Sequence, residues 1–412
     1  MSAVEGWATK SLHELATINY GRSPANILAD DGPYPVVGTG GSDRRGNDYL
    51  HEGESIILGR KGTIDRVYFA TGRFWTIDTA YYLSDFEESD PRWLYYALQS
   101  IDFRQMNEAT GVPSLSRDLL YKIRIQTPPK SEQPKIAEIL STVDRAIEQT
   151  EALIAKQQRI KTGLMQDFLT RGIDEHGNLR SEQTHKFKDS PLGRIPVEWE
   201  VKPAIELCDA ILDCKNRTPP VTSDGHPVIR TPNVRNGEFV LTDLAFTDPV
   251  SYEIWVARGK PRPDDVVITR EAPFGEACLI PNDLEAPCLG QRIMMYKTNP
   301  ERLRSDYMVF AIYSQAVQTK LLELTGGSTV GHIRVDDIRK LPIPHPFDIN
   351  EQRIIAMTLA NASASVKRLE MQWQKLCSIK TALMQDLLTG QRRVTALLNN
   401  SNQNVLGTNE KV

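Results

Sequence analysis

Apolar residues in two stretches of this chain recur in alternating steps of four and three. In the later stretch they are Ile355, Leu359, Ala362, Val366, Leu369, Trp373, Leu376, Leu383 and Leu387, with Lys380 the one polar residue on the same line. A mean step of about 3.5 residues marks a coiled-coil seam rather than the broader face of a globular helix. The earlier stretch sets Ile136, Leu140, Val143, Ile147, Ile154, Leu164 and Phe168 on an equivalent line, interrupted by Thr150, Gln157 and Lys161. Pro134 falls in the first turn, where its missing N–H costs no helical bond. Each stretch predicts one long helix; about 38 residues at 1.5 Å per residue span roughly 57 Å. Such a helix can pack on its own neighbouring lobe, but two matched seams make mutual pairing the simpler account. An antiparallel pair would carry one globular domain at each end and act as a ruler.

The two stretches are copies. The segment from Glu132 aligns without a gap on the segment from Glu351. Glu132-Gln133 matches Glu351-Gln352, Ile160-Lys161-Thr162 matches Ile379-Lys380-Thr381, and Leu164–Asp167 matches Leu383–Asp386. Preceding segments correspond more loosely. Trp7, Glu14 and Leu15 match Trp199, Glu206 and Leu207, and SIILGRKGT from Ser55 resembles DVVITREAP from Asp265. A repeat at this scale describes one architecture used twice. The layout is globular, helix, linker, globular, helix, tail.

Both globular parts read as mixed α/β. Short β-rich runs (Tyr34–Val37, Ser55–Leu58, Arg66–Ala70, Asp265–Thr269, Arg292–Lys297) alternate with Gly, Pro, Asn and Asp clusters, and helices are predicted near Pro91–Met106 and Ser305–Leu324. Between them lie loops rich in glycine, arginine and small hydroxyl residues. The first part offers Thr39, Gly40, Ser42, Arg44 and Arg45, then Arg60, Lys61 and Thr63. The second offers Lys215, Asn216, Arg217, Thr218, Arg230, Asn233, Arg270, Gln291, Arg292 and Ser328. Arginine can fork onto guanine, Asn or Gln can pair with adenine, Ser and Thr reach phosphates, and glycine lets backbone approach closely. Any one such loop is also an ordinary solvated turn; the set, displayed twice, points to DNA reading.

Composition adjusts this picture. The net charge of −4, from 49 basic and 53 acidic residues, counts against a free-standing DNA binder, since phosphate neutralisation supplies most non-specific affinity. A partner that shares the phosphate contacts removes the objection. The cysteines (Cys208, Cys214, Cys278, Cys288, Cys377) show no CxxC spacing, so neither a zinc site nor a disulfide framework is expected. No apolar run approaches the roughly 18 residues of a membrane span, and no signal-peptide core opens the chain; a cytoplasmic location is expected. Catalytic motifs are missing too. There is no GxxxxGK[ST] phosphate loop. The strings nearest to a methyltransferase [DN]PP[YF] tetrapeptide, Thr127–Lys130 and Thr218–Val221, lack the acid or amide and the aromatic. Asp264 and Asp265 have no Glu-x-Lys partner to complete a nuclease metal site. Neither a catalytic nor a metal-binding residue is expected.

With these features in view, the chain resembles the specificity subunit of Type I restriction–modification systems over nearly its whole length. The resemblance rests on P-x-x-x-E-Q before the first helix (Pro128 to Gln133), on K-T-x-L-M-Q-D near both helix ends (Lys161–Asp167, Lys380–Asp386), and on Pro191-Leu192-Gly193-x-Ile195-Pro196-x-x-Trp199. The second helix departs slightly, with one more residue between Pro346 and Glu351. The resemblance implies an α+β fold: two α/β target-recognition domains separated by two long antiparallel coiled-coil helices in a pseudo-two-fold repeat. Its segments would be a first recognition domain (1–130), a spacer helix (131–171), a linker (172–198), a second recognition domain (199–348), a second spacer helix (349–392) and a flexible tail (393–412). It implies that each domain reads half of a bipartite site on double-stranded DNA. It also implies partners: two modification subunits that methylate adenine from S-adenosylmethionine, and restriction subunits that use ATP and Mg2+ for translocation and cleavage. No cofactor is then expected in this chain. Arg145, Arg159, Lys367 and Arg368 on outward helix faces are open to two readings, docking of modification subunits or plain solvation. A duplicated scaffold that binds only proteins is the competing reading of the whole.

Overall fold

The computed structural model describes residues 4–107, 109–215, 217–325 and 331–398. The chain divides into two compact units, one of Met1–Ala152 with Glu370–Val412, the other of Leu153–Leu369. Both long helices are continuous, Gln133–Thr170 and Ile349–Leu388, and each contributes to both units.

In the first unit the strands are β1 (Ala8–Ser11), β2 (Thr17–Tyr20), β3 (Tyr34–Gly38), β4 (Gly41–Gly46), β5 (His51–Glu52), β6 (Ser55–Gly59), β7 (Val67–Ala70), β8 (Arg73–Thr76), β9 (Ala80–Ser84) and β10 (Arg124–Thr127). One sheet has the order β2-β9-β6-β7 and a second β4-β3-β8-β5, while β1 pairs with β10 beside them. Strand β6 is buried along its whole length, which is why Ile56-Ile57-Leu58 is a continuous apolar run and not an alternating one.

The second unit adds the hairpin β11 (Phe187–Ser190) and β12 (Gly193–Pro196), then β13 (Trp199–Pro203), β14 (Cys208–Asp213), β15 (His226–Ile229), β16 (Val234–Arg235), β17 (Glu238–Phe239), β18 (Ala245–Thr247), β19 (Val266–Arg270), β20 (Phe274–Leu279), β21 (Cys288–Leu289), β22 (Ile293–Thr298) and β23 (Pro342–Pro346). Its sheet β14-β22-β19-β20 repeats the order β2-β9-β6-β7, and β13 with β23 repeats β1 with β10. The parallel pair β3 and β8 recurs as β15 and β21. The repeat seen in the residues is therefore a repeat of topology.

Each helix predicted near the end of a globular part stops earlier than its apolar pattern. Pro91–Gln99 ends before a separate 3-10 turn at Phe103–Met106, and Ser305–Leu324 is two helices, Ser305–Ile312 and Gln315–Leu324. At both breaks a serine hydroxyl donates back to a carbonyl of the preceding turn: Ser100 Oγ to Ala97 O and Ser314 Oγ to Ala311 O, each at 2.7 Å. Such local bonds compete with helix continuation.

Both long helices help build each core. In the first unit, Ile136, Ala137 and Leu140 of one helix and Leu387 and Leu388 of the other pack with Leu12, Leu15, Trp93 and Tyr96. Polar links there run in opposite sequence directions: Arg393 with Glu132, Lys380 Nζ with Asp144 at 2.7 Å, and Trp373 Nε1 donating to Glu151 Oε1 at 2.8 Å. The helices are antiparallel. In the second unit Leu169 joins Ile355, Ala356 and Leu359 around Trp199, Tyr296 and Tyr307. No residue assigned to the seam is exposed: Ile136, Leu140, Ile355, Leu359, Val366 and Leu387 are buried, and Val143, Ile147, Ile154, Leu164, Phe168, Leu369, Trp373, Leu376 and Leu383 half-buried. Packing on the neighbouring lobe and mutual pairing, weighed as alternatives, occur together.

Two expectations need correction. The stretch 172–198 is not a free linker, because Ile173, Arg180 and Ile195 are buried in the second unit and β11 pairs with β12. Its polar composition hides three anchors, and the charge of Arg180 is met by Glu351, far away in sequence. The tail is likewise docked at its start, with Val394 buried and Arg393 paired to Glu132, while residues 399–412 lie outside the described residues. Burial pushes the thiols of Cys208, Cys278 and Cys288 up to about 12, as for cysteines that serve as small core residues. Among the described residues no helix is long and apolar enough to cross a membrane.

Strand β23 carries a buried imidazole, His345. Burial lowers its pKa; the Ile343 carbonyl and Glu200 oppose that shift, and Lys202 reinforces it. A histidine with a depressed folded pKa stabilises the fold above its unfolded value of about 6.5, and that stability is lost as pH falls toward the folded value. We expect the urea midpoint to fall on acidification below about pH 6.5 and His345→Gln to flatten that dependence; equal slopes for both proteins would remove His345 from the account.

Candidate nucleic-acid interface

In the first unit the loop between β3 and β4 and the loop between β6 and β7 meet. Gly38 at the end of β3, Thr39 and Gly40 in the turn, Ser42 and Arg44 on β4 and not in a loop as the sequence suggested, and Lys61 and Thr63 from the β6–β7 loop line a cleft of about 390 Å³. Thr39 Oγ1 donates to Thr63 O at 3.1 Å and fastens the two loops. Gly59 is required at the turn, because a Cβ there would sit 2.2 Å from Thr63 O, and Gly62 adopts a left-handed φ of +84°. Gly40, Ser42, Arg44, Lys61 and Thr63 are exposed. Arg45 instead braces the preceding loop, its Nε donating to Gly32 O at 2.5 Å and its Nη2 to Pro33 O at 2.6 Å.

Next to the cleft, Arg60 Nη1 donates to Asp78 O at 3.0 Å while its guanidinium lies 5.3 Å from the centre of the Tyr20 ring. Arg117 approaches the same ring at 5.1 Å. Tyr20 is 45% exposed, and Arg60 and Arg117 lie half-buried against it. The loop reading missed Tyr20 and Arg117. The available signal was Tyr20-Gly21-Arg22 at the end of a strand; Arg117 has none in its local sequence.

Arg270 occupies the equivalent place in the second unit. Arg60 N donates to Thr79 O and Arg60 O accepts from Leu115 N; Arg270 N donates to Arg292 O and Arg270 O accepts from Ile333 N. The side chains differ. Arg270 is 7% exposed, with Nε donating to Ile333 O at 3.0 Å and Nη2 meeting His332 Nε2 at 2.8 Å. Glu271 takes His332 Nδ1 at 2.7 Å and Arg292 Nε at 3.1 Å. Arg270 is thus a loop anchor, and Arg292, though exposed, is held by a carboxylate. Asn233 is also corrected. It is fully buried, its Oδ1 accepting from Arg230 N and its Nδ2 donating to Val240 O, so no edge is left for a base. Arg230 is half-buried and bonds Asp243 O.

Elsewhere in this unit Lys215 and Arg217 flank Trp255, at 5.2 and 5.3 Å from its ring, and Trp255 Nε1 donates to Arg217 O at 3.2 Å. Arg217, Thr218 and Gln291 are exposed, and Lys215 is half-buried. Trp255 was not foreseen, since nothing near it in sequence signals the pairing. Asn216 and Ser328 lie outside the described residues. Of the outward helix charges, Lys367 is bonded to Glu238 at 2.5 Å, whereas Arg145, Arg159 and Arg368 are exposed.

The profile of the family described as Type I restriction modification DNA specificity domain matches residues 4–157 and again 196–374, once for each copy of the repeat. The chain belongs to this family. Two relatives from Methanocaldococcus jannaschii agree. The Type I restriction enzyme MjaVIII specificity subunit is 25% identical over 314 residues, 75% of this chain and 72% of the relative. The putative MjaX specificity subunit is 27% identical over 323 residues, 74% and 69% of the respective chains. Among solved structures, the S subunit of a Type I restriction–modification system from M. genitalium superposes with a TM-score of 0.64 at 16% identity, covering 93% of this chain and 96% of that one. That likeness speaks for the fold: mixed helix and sheet, with the specificity domain present twice. Membership in the family supports a role for the chain in DNA sequence specificity.

Proposed function

We propose that the chain is the non-catalytic specificity subunit of a Type I restriction–modification complex, each globular part reading one half of a bipartite duplex. The long helices set the distance between the half-sites, and their exposed faces, with Arg145, Arg159 and Arg368, dock two modification subunits. S-adenosylmethionine, ATP and Mg2+ belong to the modification and restriction partners. The observation that carries this reading is the repeated topology: two sheets of identical strand order, β2-β9-β6-β7 and β14-β22-β19-β20. Thr39, Gly40, Ser42, Arg44, Arg60, Lys61 and Thr63, with the newly found Tyr20 and Arg117, form the reading surface of the first half. Lys215, Arg217, Thr218, Gln291 and Trp255 serve the second. Sharing of phosphate contacts with partners accommodates a net charge of −4.

The test is duplex binding by the chain assembled with its modification subunits. Sequence-selective binding that requires two separated half-sites is the expected result; binding without sequence preference would favour the protein-only scaffold instead. Within that assay, Arg60→Ala reduces discrimination at one base pair of the first half-site by about 1–3 kcal/mol, the worth of a forked arginine–guanine contact. Unchanged selectivity in competition binding would retire Arg60 as a reader.

A further inference from the structure

The Glu-Gln doublet at the N-terminal end of each long helix forms a matching arginine-paired junction in both units. In the second unit Glu351 is 6% exposed and receives four donors: Arg180 Nη1 at 2.6 Å and Ile173 N and Trp199 Nε1 at 3.0 Å on Oε1, and Arg180 Nη2 at 2.9 Å on Oε2. Arg180 and Ile173 belong to the segment that leaves the other long helix. In the first unit Glu132 occupies the matching position. Arg393, from the segment that leaves the second long helix, donates through Nε to Glu132 Oε2 at 3.0 Å and through Nη2 to Oε1, and its Nη1 reaches Glu5 O at 2.6 Å. A left-handed glycine follows each helix, Gly172 with φ +61° and Gly390 with φ +75°, and turns the chain back against Trp199 or Trp7.

The glutamines complete the pattern. Gln133 Oε1 accepts from Asp90 N at 2.6 Å and its Nε2 donates to Pro128 O at 3.1 Å. Gln352 Oε1 accepts from Arg304 N, and its Nε2 donates to Pro346 O, each at 2.9 Å. Asp90 and Arg304 are the N-cap residues of equivalent core helices, Pro91–Gln99 and Ser305–Ile312. In each unit, then, adjacent side chains grip three things: the start of one long helix, the exit of the other, and the globular body.

We infer that Glu132-Gln133 and Glu351-Gln352, with Arg393 and Arg180, are positioning residues that fix the axial register of the helix pair against the reading loops. This inference rests on the proposed bipartite reading. It assigns to these named side chains the constancy of the gap between half-sites. None of them is among the residues assigned above to the reading surfaces. A carboxylate held by a forked guanidinium and further donors admits one geometry, whereas an apolar seam alone tolerates a slip of a turn.

The experiment uses the full chain in complex with its modification subunits, and duplexes carrying both half-site sequences at the native gap and at gaps one or two base pairs longer or shorter. Glu351→Gln keeps the shape and removes the charge. It lowers the ratio of native-gap to altered-gap methylation about ten-fold or more, while the bases preferred in each half-site stay the same. An unchanged ratio overturns the inference, whether or not total methylation falls, because a purely structural residue would lower all gaps alike. If Glu351→Gln yields no folded protein, Arg393→Ala makes the same measurement at the more exposed junction, with the same expected fall and the same refuting outcome. A wild-type complex that methylates no two-part sequence refutes the bipartite reading itself and the inference with it, a result distinct from an unchanged ratio.

Discussion

Leu359→Asp abolishes folding of the second unit at neutral pH. The side chain is completely buried, in the same cluster as Leu169, Trp199, Tyr307 and Ile355. Truncating a buried leucine to alanine already costs about 2–5 kcal/mol. A carboxylate in that apolar cluster adds the cost of desolvating a charge, several kcal/mol more. Whole domains are stable by only about 5–15 kcal/mol. Leu359→Ala is therefore expected to shift the urea midpoint and leave a cooperative transition, and Leu359→Asp to leave none for the second unit. Limited proteolysis and circular dichroism would read both. A Leu359→Asp protein with wild-type resistance to protease would mean that the seam is not closed there.

Arg180→Met destabilises the second unit by about 3–5 kcal/mol, the usual consequence of leaving one member of a buried ion pair behind. Burial alone would lower the pKa of Arg180, but the hydrogen bonds and attraction of Glu351 raise it, so the guanidinium is charged across the accessible range. Converting the pair to Arg180→Met with Glu351→Leu recovers only part of the loss. Trp199 Nε1 and Ile173 N would be stranded, and each buried orphan donor costs about 1–3 kcal/mol. Urea denaturation of the single and double variants gives the comparison. A single variant within about 0.5 kcal/mol of wild type, the range of an ordinary surface change, would show that water reaches the junction.

The seam was legible because its signal is local: the step from Ile355 to Leu359 can be counted without knowing what lies opposite. The repeat was legible for the same reason. What could not be read was any role set by a distant partner. Glu351 and Arg180 are 171 positions apart and Glu132 and Arg393 are 261 apart, so the doublets were visible as a motif but their grip was not. Arg60 and Arg270 align and share backbone bonds, yet one lies over an exposed ring and the other is sealed beneath His332 and Ile333. The difference comes from the segments folded over each loop, which diverge between the copies. Trp255 shows the reverse case, a residue with no local signal drawn to Lys215 and Arg217 by the fold.

The composition of the first unit bears on synthesis. Its core includes Leu387, Leu388 and Val394 together with Leu12 and Leu15, so segments far apart in sequence are needed at once. A nascent chain leaving the ribosome cannot finish the lobe it makes first. Ile136 and Leu140 lack their full covering until Leu387, Leu388 and Val394 have been made, and during that interval they are the kind of surface that chaperones bind. The second unit, drawn from one uninterrupted segment, has no such wait.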